Sequence, residues 1–429
     1  MPQLSLKRII QKQDYDFDRP DIDLYNFHPQ LRIMLATSGV FFNNRDSRLR
    51  FIWPLICIGT AIVGMVLEVI FITHYVSVKD NSNATECFCY FVILGCILLI
   101  FVIILFNKDN LHSIVEIINH DFIIIRNLES RYREHFLKAQ LGIWQFYWAW
   151  VFFCTFVCTL YVMMPIVTLV YQTLFATLDE HTIRPLPFPI WLPHDDPYRT
   201  PNYEIFLFIQ SFLIGCVLQT FVVYIYTLFH ILQHYYIIMD MIILHFQVIF
   251  DGLDENVALL SRYDQRRIET QLILNKRVGN IVNMHLSVLQ AVKTVSSVYG
   301  PILMNQLMCS SIVICLVMFQ LAEKLDEGVF DILFFLLAVA ATLQLWIPCY
   351  LGTKIRNKAF EVGDACWNCG WHLTSLGLLI RSDIIIIIMR AQIPVTIKFT
   401  GLPKYELETF SALMSRAYSY FNMLRQYSK

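Results

Sequence analysis

Charge is what this chain has least of. Only 16% of its 429 residues are Asp, Glu, Lys or Arg and 56% are hydrophobic, where a soluble domain carries about 25% charged residues. A net charge of −1 offers nucleic acid no basic surface to bind. Catalytic signatures are missing as well: there is no glycine-rich phosphate loop, no HExxH, no GxSxG and no acidic pair at catalytic spacing. An enzyme, a metal site or a cofactor is therefore not expected. Nor do the 12 cysteines make a disulfide framework. Cys57, Cys96, Cys154, Cys158, Cys216, Cys309, Cys315 and Cys349 fall inside apolar runs as small hydrophobes, Cys87 and Cys89 are too close to bridge, and the CxxC of Cys366 and Cys369 has no second pair. The first fifty residues lack the apolar core and cleavage site of a signal peptide, which predicts a cytosolic N-terminus.

Long apolar runs are what the chain has instead. Phe88–Phe106, Leu141–Leu178, Ile205–Met239, Pro301–Ala322 and Ile332–Thr353 contain no charged residue, and Phe51–Val78 contains only Glu68. About 20 apolar residues in a helix cross roughly 30 Å of hydrocarbon. Adding the less apolar Tyr405–Tyr427 predicts an all-α membrane protein of seven spans. Lys and Arg number 8 in residues 1–50, 5 in 107–143, 6 in 247–300 and 7 in 354–404, while the alternate loops hold only Lys79, Arg184, Arg199 and Lys324. Positive loops stay inside. The topology is thus expected to be inverted, with a cytosolic N-terminus and an extracellular C-terminus.

The expected organisation follows from these runs. Residues 1–50 form a cytosolic segment, 51–246 the first four spans, 247–300 cytoplasmic amphipathic helices, 301–353 spans five and six, 354–404 a cytoplasmic anchor helix and connector, and 405–429 the final span. The loop 107–143 is read as polar and cytoplasmic, with His112 and His120 solvated. Asn83-Ala84-Thr85 is a glycosylation sequon in the expected first outer loop. The segment 179–202, with six prolines, cannot be helical. It is either a solvated connector or a lid over an outward-facing pocket. From Val278, the positions Ile281, Val282, His285, Leu289, Val292 and Tyr299 recur every three or four residues, and Gly300-Pro301 marks where the helix enters the membrane. Glu68 and His74 are intramembrane ionisable groups, Glu68 either lining a watered cavity or making a structural hydrogen bond.

The final span is the least comfortable in lipid. On a helix Ala412, Arg416, Ser419, Met423 and Tyr427 share one face, with Gln426 beside it. Arg416 and Ser419 are costly against lipid and well placed against water, and Met423 and Tyr427 are bulky enough to close a narrow passage. Spacing leaves two readings open: a pore face contributed by each of several subunits, or an Arg416 packed between helices of one monomer.

The stretch MRAQIPVTIKFTGLPKYELETFSALMSRAYSYFNML at 389–424 resembles the C-terminal signature of insect odorant receptors. CYLGTKIRN at 349–357 and Trp371 are similar to that family's junction between its sixth span and its cytoplasmic helix. SYFNMLRQY at 419–427 is also close to the signature of the related gustatory receptors, with Ser419 and Tyr427 in place of Thr and Phe. The resemblance implies an odorant-gated cation channel, a tetramer whose final helices line the pore and whose cytoplasmic helices hold the subunits together. Matching Tyr420, Phe421, Leu424 and Gln426 to the co-receptor's pore helix puts Met423 and Tyr427 at its gate and Gln426 at its polar ring. Arg416 and Arg425 depart from that helix, and the co-receptor's long cytoplasmic insertion between spans four and five is absent. The resemblance therefore implies a tuning subunit that assembles with the co-receptor in the plasma membrane of olfactory neuron dendrites.

In the family the ligand pocket lies in the outer half of the membrane. That region here offers Tyr90, Phe91, Tyr161, Met164, Thr168, Tyr171, Phe206, Ile209, Leu213 and Phe335, with no buried countercharge, which implies a neutral volatile ligand, heteroaromatic compounds included. The rival readings are a gustatory-type channel, a seven-span G-protein-coupled receptor and a transporter. The charge count, and the absence of the acidic-Arg-Tyr and NPxxY motifs, argue against the second. No internal repeat of broken helices supports the third.

Overall fold

The structure is a computed structural model that describes residues 11–12, 19, 21–40, 48–175, 184–193, 196–393, 395–397 and 404–428. A short helix α1 (Pro29–Thr37) precedes α2 (Ile52–Val78) and α3 (Asn81–Phe106). Then come α4 (Lys108–Arg126), α5 (Ser130–Phe175) and α6 (Asn202–Gln247). The chain continues with α7 (Gln265–Asp326), α8 (Ile332–Asn368), α9 (Gly377–Ala391) and α10 (Leu407–Ser428). Six of these helices, α2, α3, α5, α6, α7 and α8, are long and apolar enough to cross a membrane. α10 has the length, at 22 residues, without the apolarity.

The helices begin where the sequence offers caps. Lys79 ends α2 in the left-handed region (φ 62°), and Asp80 at once caps α3 by accepting the Asn83 backbone N–H. The first outer connection is therefore a tight turn, and the Asn83 sequon lies in a helical turn with its amide donating 2.7 Å to Asp80 Oδ2. Asp331 starts α8 in the same way, accepting from the N–H groups of Leu333 and Phe334.

The inner half is the well-packed half. α7 is a single 62-residue helix, about 93 Å at 1.5 Å per residue, and Pro301 lies inside it without ending it. Its stripe Leu274, Val278, Ile281, His285, Val288, Val292, Val295 and Tyr299 is buried. Ile380, Ile384 and Ile387 of α9 join Ile355, Ala359 and Val362 of α8 in the same core. The segments 265–300 and 354–368 are thus unbroken continuations of the long apolar helices α7 and α8. Residues 108–126, read from sequence as a loop, form an amphipathic helix instead, with Leu111, Ile114, Val115, Ile118, Phe122 and Ile125 buried.

Buried polar chains stitch this half together. His28, ahead of α1, meets Gln140 of α5 at 3.3 Å, Gln140 meets His234 of α6 at 3.0 Å, and His234 meets Asp121 of α4 at 3.1 Å. Burial, reinforced by the neighbouring His230 and Lys12, holds His28 neutral, well below the usual imidazole range. Nearby, Asp240 of α6 accepts from His135 of α5 and Lys358 of α8, both at 2.7 Å.

Candidate functional site: an apolar cavity and a polar-faced helix

In the other half, away from α4 and α9, the helices leave a cavity of about 140 Å³. The aromatic side of α5 supplies Trp150, Phe153, Cys154, Val157, Cys158 and Tyr161, at helical spacing. Ile214, Val217, Leu218 and Phe221 come from α6, Tyr90 and Ile93 from α3, Leu337, Ala340, Ala341 and Gln344 from α8, and Val313 from α7. No charged side chain lines it. The aromatic polar tips on its wall are already engaged: Tyr90 donates to Glu86 at 3.2 Å, Tyr161 to the Leu333 carbonyl at 3.4 Å, and the Trp150 indole to the Phe221 carbonyl at 3.4 Å. Apart from Gln344 at one end and the two thiols, what remains is a set of ring faces and methyl groups, suited to a neutral apolar body.

The proline-rich strap packs against the cavity. Phe188 reaches down to line it, its ring 4.4 Å from Tyr90. Gln210 of α6 latches the strap with its amide, accepting from the Phe188 N–H at 3.1 Å and donating to the Phe188 carbonyl at 3.0 Å. Trp191 stacks on His74 at 3.9 Å, and Tyr203 donates to the Pro185 carbonyl at 3.2 Å. The described part of this segment, 184–193 and 196–202, therefore packs on the helices through Phe188, Ile190 and Trp191.

Of the ten expected pocket residues, Tyr90 and Tyr161 line this cavity. Phe91 turns toward Phe88, Met164 and Tyr171 are exposed, and the Thr168 hydroxyl is spent on the Met164 carbonyl at 2.9 Å. Phe206 packs beneath the strap with Ile190, and Leu213 packs with Cys57, Ala61 and Leu94. Ile209 and Phe335 face outward. The expectation took the outermost turns of each span, while the cavity sits a turn or two deeper. Trp150, Val157, Phe188, Phe221 and Gln344 were the residues missed. On α5, Trp150, Cys154, Val157 and Tyr161 follow one another by four, three and four, so a readable signal was there. Glu68 does not line this cavity; it is buried beside Cys87 at the α2–α3 contact.

α10 is the second element of the site. Its buried side holds Leu413 and Ala417, with Phe410, Met414 and Leu424 packed against the core. Leu424 joins a cluster of Cys89, Val313, Leu316, Val317, Phe334 and Ala338, and Val313 also lines the cavity. The opposite side carries Ser419, Met423 and Gln426, all exposed within one subunit, with Met423 at 50%. Ser419 donates back to the Ser415 carbonyl at 2.9 Å. Arg416 faces a groove of about 580 Å³ between α10 and α7, with Met304, Met308 and Tyr420. The side chain of Tyr427 lies outside the described residues. Arg425 pairs with Asp326 at the end of α7, so its charge is balanced within the subunit.

The handle of α10 explains a motif. Tyr405 packs so closely on α8 that a Cβ at Gly352 would stand 1.8 Å from the Tyr405 carbonyl oxygen. Beside it Thr353 accepts from the Leu407 N–H at 2.9 Å, and Arg356 pairs with buried Glu406.

Residues 80–418 match the family described as 7tm Odorant receptor. The chain belongs to this family. Among its relatives, Odorant receptor 13a of Drosophila melanogaster is 23% identical over 286 residues, 62% of each chain. Odorant receptor 85f of the same organism is 28% identical over 184 residues, 43% of this receptor and 44% of the relative. The matches thus span less than two thirds of those relatives' length. The fold is that of the insect olfactory receptor OR5 from Machilis hrabei: TM-score 0.74 and 14% identity to its eugenol complex, and 0.68 and 16% to OR5 described without eugenol, each covering 94% of this chain and 98% of the other.

Proposed function

We propose that this receptor is the odorant-binding subunit of a ligand-gated, non-selective cation channel. In this reading a small neutral volatile occupies the cavity under Phe188, and α10 contributes one wall of a pore shared with the odorant co-receptor in a heterotetramer. The observation that carries it is a single residue's two neighbourhoods: Val313 lines the apolar cavity and belongs to the cluster that holds Leu424 of α10. A ligand pressing on that wall acts one side chain away from the polar-faced helix. The exposed row of Ser419, Met423 and Gln426 needs partners that one subunit does not supply, and Tyr427 continues the same helix toward the proposed gate. OR5 of Machilis hrabei was solved with eugenol, a neutral aromatic phenol, which is the ligand class proposed here. The plasma membrane of olfactory neuron dendrites is the proposed location.

The test is whole-cell recording from cells expressing this chain with and without the co-receptor during a panel of neutral volatiles. A fast cation current requiring both subunits is expected. Val157→Phe fills the cavity and should raise the half-maximal concentration by at least about tenfold, the consequence of losing roughly 1.4 kcal/mol of binding. Surface-expressed receptor that gives no current in either arrangement overturns the reading.

A further inference from the structure

Directly below the main cavity lies a second one, of about 50 Å³. The two share Ile93, Phe221, Val313, Ala341 and Gln344. Their chemistry differs. The lower chamber adds Cys96, Tyr224, Asn305, Gln306, Cys309 and Ser310. Most of its polar groups satisfy one another: Asn305 donates to Cys96 Sγ and accepts from the Cys309 thiol, each at 3.5 Å. Gln306 accepts from the Tyr224 hydroxyl at 2.6 Å and donates to the backbone carbonyl of Gln344. Two groups are left over among the described residues. The Gln344 side-chain amide and the Ser310 hydroxyl make no hydrogen bond, and Gln344 lines both chambers.

We infer that the lower chamber is the polar end of the ligand site, and that Gln344 sets specificity for volatiles carrying one terminal hydroxyl or carbonyl. This rests on the proposed odorant-binding role of the upper cavity. A ligand's polar group turned away from Gln344, among the ring faces of the upper cavity, would lose its water without replacement. Turned downward it meets an amide that both donates and accepts, and so serves an alcohol and a ketone alike. The ligand is oriented by that preference, apolar body under Phe188 and head group toward Gln344. The arrangement is a sieve for monofunctional amphiphiles, since a second polar group would be stranded in the upper cavity.

Octane, octanone and octanol share a carbon count and test this directly, applied to the receptor expressed with the co-receptor. In the wild type the two oxygenated compounds should act at concentrations at least about tenfold lower than octane, a contrast of roughly 1.4 kcal/mol. Gln344→Met keeps the length and removes donor and acceptor together. It should bring the three compounds within about threefold of one another. Ala341→Leu narrows the passage and is the second variant, should Gln344→Met fail to reach the surface; whatever it does to octane, it should bring octanol's advantage over octane within about threefold. A full contrast persisting in either conducting variant, or no contrast in the wild type, overturns the assignment. A surface-expressed wild type silent to every volatile overturns the channel reading itself, and this inference with it.

Discussion

At the scale of residues, the cavity works by what its polar groups already do. Tyr90, Tyr161 and Trp150 are bonded to protein partners, so they present faces rather than donors to a ligand. Sequence made the aromatic, uncharged character of the region legible but not which ring faces inward, because that depends on helix phase and on how far the spans splay. It could not place Phe188 at all, since a proline-rich strap has no periodicity to read. Gln210 is the residue on which the strap depends. Gln210→Leu strips both hydrogen bonds from the Phe188 backbone, and leaving such groups unpaired costs about 1–3 kcal/mol. Current onset and decay after brief odorant pulses should both quicken, by at least about fivefold, with a smaller change in half-maximal concentration. Kinetics unchanged in a well-expressed Gln210→Leu receptor would show the strap to be passive.

At the scale of elements, the long helices were the easiest to foresee. The described part of each expected span falls mostly on a helix, and five of the spans are runs of 19 to 38 residues without charge, which have no alternative in lipid. α4 was hidden by its polar face: the stripe from Leu111 to Ile125 has the right spacing, but Lys108, Asp109, Glu116 and Asp121 between its members gave the segment the look of a loop. The Asn83 sequon was misplaced for a related reason, since polar residues at a helix start look like a connection until Asp80 is recognised as a cap. The motif around Gly352 becomes legible only with α10 docked against it. Gly352→Val puts a branched side chain where the Tyr405 carbonyl stands. Overpacking of that kind costs roughly 1–3 kcal/mol, so surface-expressed receptor should fall by about tenfold in a biotinylation assay. Normal surface levels would mean that α10 docks elsewhere.

At the scale of the whole molecule, the chain is packed unevenly. The inner half is tied by α7, α8, α9 and the His28–Gln140–His234–Asp121 chain, and the outer half is opened by the cavity. The proposed inverted orientation has a simple check, because Gly252 and Gly328 lie in turns on opposite sides of the same long α7. An epitope inserted at Gly328 should be labelled on intact cells, and one at Gly252 only after permeabilisation. The reverse pattern would overturn the orientation read from the charges. The docking of α10 also bears on how the protein is made. A helix carrying Arg416, Ser419, Asn422, Arg425 and Gln426 is one that a bilayer alone tends to refuse, an arginine at its centre costing about 2.5–3.5 kcal/mol on insertion scales. α10 should therefore cross only against helices already in place, caught at Tyr405 and Glu406 by α8 before its polar face meets hydrocarbon. The ribosome delivers α8 first, so the order of synthesis is the order of insertion that this fold requires.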